Sequence, residues 1–401
     1  MAEWQTRDGS TADTGAGNFV ASAPTISLPK GGGAIRGMGE KFAANPVTGT
    51  GSMSVPIATT PGRSGLGPQL SLSYDSGAGN GPFGFGWSLS LPSITRKTDK
   101  GLPQYDDAEE SDVFILSGSE DLVPLGAWVR QSFERSIGTE TYVVQRYRPR
   151  IEGLYARIER WTRKRDGDTY WRSISKDNIT TFYGKTIESR IADPQDPQRV
   201  FSWLICQSQD DKGNAILYDY AAENSAGVDL TQAHERNRRD IGRSAGRYLK
   251  RIRYGNTPSL LIQPDLAQLA WLFEVVFDYD EGHYQALPQD AQGREYAQAT
   301  PVPSRPWSLR QDPFSSHRSC FEVRTYRLCR RVLMFHHFPG ELGAPDYLVR
   351  TTEFSYRETP IASFITNVTQ SGYRRGPDGA YLKDHCPLSI STTAKRSCSR
   401  R

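Results

Sequence analysis

Residues Ser27 to Arg96 read SLPKGGGAIRGMGEKFAANPVTGTGSMSVPIATTPGRSGLGPQLSLSYDSGAGNGPFGFGWSLSLPSITR. Glycine and proline punctuate this stretch so often that no part of it is long enough for a helix. Glycine reaches backbone conformations closed to other residues and proline removes a ladder donor. Between them lie short alternating runs such as Gln69-Leu70-Ser71-Leu72-Ser73-Tyr74. These runs predict strands, and Trp87 to Ile94 alternates as a further one.

The rest of the chain keeps the same character. Its 401 residues can bury a large core, and 37 glycines and 25 prolines are spread along it rather than pooled in a linker. Nineteen tyrosines suit strands with one wet face, because the ring packs while the hydroxyl stays hydrated. The expected fold class is therefore all-β with little helix. A net charge of +4 on 49 basic and 45 acidic residues is a small surplus over a mixed surface, and does not argue for nucleic acid. Cysteines at 206, 320, 329, 386 and 398 form no CxxC and no dense framework, which points to synthesis in a reducing compartment. No apolar run approaches the roughly twenty residues of a membrane-spanning helix, and the first twenty residues lack the basic and apolar regions of a signal peptide. Export, if it occurs, is expected by another route from the cytoplasm of the producing cell.

Residues 1–24 are small and polar and are expected to be disordered. Asp106-Asp107-Ala108-Glu109-Glu110 reads as a solvated acidic turn before the strand Asp112 to Leu116 and the turn Ser117-Gly118-Ser119. In Asp211-Lys212-Gly213-Asn214-Ala215-Ile216-Leu217-Tyr218-Asp219-Tyr220, Gly-Asn supplies a turn, and Ile216, Tyr218 and Tyr220 mark one strand face. Arg253-Tyr254-Gly255-Asn256 is a related word. Trp271, Phe273, Val275, Phe277 and Tyr279 share a predicted dry face, with Glu274, Asp278 and Asp280 on a mostly wet one that Leu272 and Val276 interrupt. Residues Glu223 to Arg247, with Arg236, Arg238 and Arg239, show no apolar stripe and read as a solvated insertion.

The words Lys30-Gly31-Gly32-Gly33-Ala34-Ile35, Gly49-Thr50-Gly51, Leu70-Ser71-Leu72-Ser73-Tyr74-Asp75-Ser76-Gly77 and Gly84-Phe85-Gly86-Trp87 occur in order. Another, SCFEVRTYRLCRRVLMFHHF, spans Ser319 to Phe338. Together they resemble the N-terminal module of the SpvB family: the plasmid-virulence B proteins and the B components of insecticidal toxin complexes. The resemblance runs from about Ile26 to Lys383, and the Gly-Asn and tyrosine units resemble the YD repeats of RHS proteins. It implies an extended, strongly curved antiparallel sheet over 25–383, part of an RHS-type hollow shell. Such a shell encloses the toxic effector of an RHS-repeat C component and docks, through parts absent here, to an A-type translocator. Curved sheet needs glycine kinks and bulges, and an enclosed wet face suits charges opposite aromatics.

The resemblance leaves two rival readings open. One is the front half of a fused ADP-ribosyltransferase toxin without its catalytic domain; the other is an RHS-like surface adhesin. The transferase domains of this family carry a Glu-x-Glu pair, and no such triplet occurs in this chain.

Residue types that could carry chemistry do not assemble into motifs. Gly79-Asn80-Gly81-Pro82-Phe83-Gly84 matches GxGxxG, but a dinucleotide site needs those glycines to open a helix, and strand-like sequence follows. His336 and His337 are adjacent, so a strand sends them to opposite faces. Cys320, Cys329 and His317 lack a second closely spaced ligand pair for zinc, and His234-Glu235 lacks the second histidine of HExxH. Arg163-Lys164-Arg165 and Arg236 to Arg239 have acidic neighbours and read as solvated surface. No catalytic, cofactor-binding or metal residue is assigned, and no enzyme activity, nucleic-acid partner or membrane span is expected.

From Asp384 the sequence DHCPLSISTTAKRSCSRR drops the alternation. Relatives resemble SLPPLEFEYSEA here. Permitted codons for Asp384 to Arg396, read two bases later, encode Ser-Leu-Pro-Ala-Leu-Asp-Phe-Asp-Tyr-Ser-Glu-Ala. Residues 384–401 are accordingly expected to be a frameshifted tail on the front of a longer protein.

Overall fold

The computed structural model describes residues 41–44, 50–117, 120–125, 132–153 and 155–391. The expectation of disorder at 1–24, the Lys30 to Ile35 word, Gly118-Ser119 and residues 392–401 lie outside them.

Among the described residues, strands dominate. The α-helical segments are two single turns, Asp240–Arg243 and Pro339–Leu342. Nineteen strands join one sheet and four, Lys41–Ala44, Gly51–Ile57, Leu70–Asp75 and Trp87–Leu89, form a second; two small ribbons complete the set. The pairings are antiparallel, as expected where successive strands are joined by short turns. Their register breaks repeatedly, between Phe182 and Tyr183, Asp219 and Tyr220, Met334 and Phe335, and Ser355 and Tyr356. Each break inserts an unpaired residue and raises the local twist, which bends so large a sheet into a curved wall.

The glycine-rich segment does not form the wall alone; it lines it. Val55, Leu72 and Trp87 join one apolar cluster with Ile252, Phe277, Met334 and Val368 from the large sheet. One pairing fixes this docking: Ser93 to Thr95 lies against Ser202 to Leu204.

Three sequence expectations need correction. Trp87 to Ile94 is two strands in different sheets, Trp87–Leu89 and Ser93–Arg96. The break falls at Ser90-Leu91-Pro92, where proline cannot donate to a ladder. Along Ala270–Asp278 the two faces are as counted, but the even face is not wet. Val276 enters a second apolar cluster, while Glu274 and Asp278 are buried. Finally, Glu223 to Arg247 is irregular as expected yet anchored, because Glu223, Glu235 and Arg243 are all buried.

The Gly-Asn turn is found where the sequence places it. Gly213, at φ 79°, leads into the strand Ala215–Ala222, on which Ile216 and Tyr218 are buried. A strand Tyr381–Ser391 pairs with Ser363–Arg375. Side chains beyond Asp384 lie outside the described residues.

Candidate functional site

The segment resembling a GxGxxG loop is a two-strand ribbon, Asn80–Gly81 against Gly84–Phe85, with no helix following. Its glycines permit close backbone approach. A Cβ on Gly84 would lie 2.6 Å from the Ser363 carbonyl oxygen, and one on Gly86 2.4 Å from the Tyr74 ring. Arg310 clamps the ribbon, donating to the Gly81 carbonyl and Asn80 Oδ1 at 2.8 Å each. Asp312 balances that guanidinium at 2.8 and 2.9 Å and accepts from Asn80 and Ser363. Burial opposes ionisation of Asp312, but the Arg310, Ser363 and Asn80 hydrogen bonds outweigh it and hold its pKa below the usual carboxylate range.

Two further buried pairs tie the 223–247 segment to the 319–338 word. Arg327 is fully buried, donates from Nε to Glu223 at 2.9 Å, and spends Nη2 on the Asn224 and Ala226 carbonyls. Its guanidinium lies 4.8 Å from the Trp307 ring centroid. The other Glu223 oxygen accepts from the Tyr248 hydroxyl and the Tyr326 amide. Glu235 accepts from Arg324 at 2.6 Å and from the Tyr326 hydroxyl at 2.5 Å. These contacts lower its pKa against the opposing effect of burial. Of the arginines read as solvated, Arg238 is committed to Glu322 at 2.8 Å.

The acidic turn at 106–110 is likewise partly tied down. Asp107 and Asp112 both bind the buried Arg96, which also donates to the Val200 carbonyl and lies against Tyr105, Phe114 and Trp203. The Arg163-Lys164-Arg165 cluster fits its solvated reading: Lys164 and Arg165 are exposed and paired with Glu134 and Glu140.

His336 ends the strand Arg331–His336 and His337 lies just past it, and the two engage different partners. His336 Nε2 meets Thr60 Oγ1 at 2.7 Å, while His337 meets Glu274 and the Pro345 carbonyl. Burial lowers the His336 pKa, and its charged neighbour lowers it further. For His337, burial is outweighed by Glu274 and the pKa rises. Cys320 and Cys329 donate to different carbonyls, those of Pro103 and Arg331, and Cys329 is fully buried.

A polar cluster that sequence reasoning did not find sits at the end of the strand Ala270–Asp278. Asp278 Oδ2 accepts from Arg331 at 2.9 Å and Oδ1 from the Glu281 amide at 2.9 Å. Glu281 is paired with Lys250. His283 Nδ1 faces the Thr300 carbonyl at 3.1 Å, and its Nε2 is buried without a hydrogen-bond partner. Burial pushes the Lys250 ammonium down to about 8. One signal for these pairs was present in the sequence. Arginines inside the apolar run Val323 to Leu333 are costly to bury without carboxylates, so partners had to exist elsewhere.

The site is thus a set of buried ionic clamps that hold a lining segment to a curved wall. Comparison with known proteins fits that picture. Residues 45–338 match the family described as Salmonella virulence plasmid 65kDa B protein, SpvB. The chain belongs to the SpvB family. It is 38% identical over 369 residues to the mono(ADP-ribosyl)transferase SpvB of Salmonella choleraesuis strain SC-B67, covering 88% of this chain and 58% of that protein. The chain therefore spans less than two thirds of the curated relatives it matches. Among solved structures it resembles the N-terminal domain of effector protein SpvB from Salmonella typhimurium strain LT2, at 36% identity and a TM-score of 0.69, covering 80% of this chain and all of that one. It also resembles TcdB2-TccC3, at 33% identity and a TM-score of 0.74, over 90% of this chain and 17% of that one. The all-β, curved-shell expectation holds, and the matched part of SpvB is its N-terminal domain.

Proposed function

We propose that this chain is a non-catalytic shell segment of a toxin-complex B component, which helps to enclose a toxic effector for delivery. The observation that carries the reading is the match to TcdB2-TccC3 over 90% of the chain, at a TM-score of 0.74. On this reading the partner is an RHS-repeat C component, and an A-type translocator engages parts of the B component outside this chain. The protein is made in the cytoplasm and acts outside the producing cell. The buried clamps suit such a role, because a container needs a wall that keeps its shape and acts by denying access.

A second reading is favoured by the curated relatives themselves, which are named as mono(ADP-ribosyl)transferases and extend well beyond the matched part. In that case the chain is the scaffold half of a fused toxin. The coding sequence that follows discriminates: propeller repeats favour the B component, whereas an Arg, Ser-Thr-Ser and Glu-x-Glu set favours the transferase.

The test of enclosure is protease protection. The chain is joined in frame to the downstream shell of a B component and co-expressed with an RHS-repeat C component. The C-terminal segment of that partner is expected to resist protease, and equal digestion with and without this protein refutes the container reading.

A further inference from the structure

Among the described residues, Asp278, Glu281 and His283 bring three ligand atoms within 4.8 Å of one another, and all three residues are buried. A turn builds this geometry. The strand Ala270–Asp278 ends at Asp278, Gly282 takes φ 82°, and the chain reverses into Tyr284–Leu287, so that both carboxylates and the imidazole face one point.

His283 is the observation that a purely structural ion pair leaves unexplained. It is 1% exposed, and the carbonyl of Thr300 can only accept, so Nδ1 carries the proton. In the neutral imidazole, the form that burial favours, the lone pair resides on Nε2, which has no hydrogen-bond partner and lies 3.8 Å from Glu281 Oε2. A lone pair facing a carboxylate is repulsive unless a cation lies between them. An imidazole that donates its far N–H to a backbone carbonyl while offering Nε2 inward is the usual arrangement of a metal-binding histidine.

We propose that Asp278, Glu281 and His283 form a binding site for a divalent first-row transition ion of the zinc type. One nitrogen and two carboxylates suit such an ion better than calcium, which takes six to eight oxygens. Bonds of about 2.0–2.2 Å require the three atoms to close in from their present spacing. Gly282 and Thr300, which adjoin the cluster, line an open cavity of about 560 Å³.

The competitor is internal. The Lys250 ammonium is paired with Glu281 and donates to the Phe277 carbonyl at 3.2 Å, so it holds the position of the cation when no metal is bound. Arg331 engages one Asp278 oxygen and leaves the other to the Glu281 amide and a ligand. Removing the lysine charge therefore strengthens metal binding, the opposite of what a purely structural salt bridge predicts.

The test titrates the chelator-stripped full chain with Co²⁺ and Zn²⁺, followed by calorimetry and visible absorption. One equivalent is expected to bind, about tenfold or more tighter in Lys250→Met and at least about tenfold weaker in His283→Gln. X-ray absorption of the Co²⁺ form is expected to show one imidazole and otherwise oxygen ligands. This measurement needs only the wild-type chain, so it decides the matter even if a variant fails to fold. Absence of saturable binding by the wild-type chain, binding unchanged in His283→Gln, or a ligand set with sulfur or several imidazoles overturns the proposal.

Discussion

Trp171 and Arg327 are both fully buried, but their surroundings are built on different physics. Trp171 sits among rings, with Phe114 and Tyr147 at 4.9 Å and Trp203 at 6.0 Å between centroids. Arg327 sits among acceptors, its guanidinium divided between Glu223 and the carbonyls around Asn224. The aromatic region gains from apolar burial, which tolerates partial loss. The ionic region is satisfied only as a set, because removing one member leaves the others charged and desolvated. Two regions of one wall thus respond differently to the same size of change.

The largest effects should come from breaking either region outright. Arg327→Met, which strands the Glu223 carboxylate, is expected to cost about 3–5 kcal/mol in urea unfolding. Trp171→Ala should cost a similar amount, about 3–5 kcal/mol, through the cavity it leaves. The contrast appears in the second substitution. Adding Glu223→Leu to Arg327→Met should recover part of the loss, since it removes the stranded carboxylate but leaves the Tyr248 hydroxyl and the Tyr326 amide without their acceptor. Adding Trp203→Ala to Trp171→Ala should deepen it. Recovery in neither pair, or in both, erases the distinction.

A smaller effect separates the regions by pH. Glu235, Asp312 and Glu159 have pKa values lowered in the fold. Burial opposes their ionisation but is outweighed by hydrogen bonds, from Tyr326 and Arg324 to Glu235, from Arg310 to Asp312 and from Arg172 to Glu159. Their contribution is complete above the ordinary carboxylate pKa of about 4 and is lost as pH falls through the lower folded values. Melting temperature should therefore drop on acidification below about pH 4, and less so in Glu235→Gln. His337 works the other way. Its pKa is raised, so its contribution is full below about 6.5 and fades as pH rises through the folded value. Smallest of all, Lys164→Ala, at an exposed pair with Glu134, should change stability by no more than about 0.5 kcal/mol.

The same contrast explains what the sequence disclosed. Periodicity located the strand around Phe114, the Gly213-Asn214 turn and the faces of Ile216 and Tyr218, because those depend on neighbours a few residues away. It misjudged Glu274, Asp278 and the 223–247 segment, where polarity suggested water. Their partners lie far along the chain, as Arg327 lies 104 residues from Glu223. A charge that is solvated and one that is buried against a distant opposite charge look identical in local pattern. The split of Trp87 to Ile94 was readable from Pro92 and was overridden by the alternation on either side.

One edge of the large sheet is lightly covered. Ser132–Ile137 pairs with Glu140–Pro149 and, among the described residues, with no second strand; its surface is mostly exposed and carries Glu134 and Arg135. Such charges discourage promiscuous edge pairing.

The central claim is that this chain acts as scaffold and not as catalyst. The most direct measurement is NAD turnover by the purified 401-residue chain, with and without a protein acceptor, over a long incubation. The scaffold account predicts neither nicotinamide release above the buffer rate nor label transferred to the acceptor. Sustained turnover that scales with the concentration of this chain would contradict it.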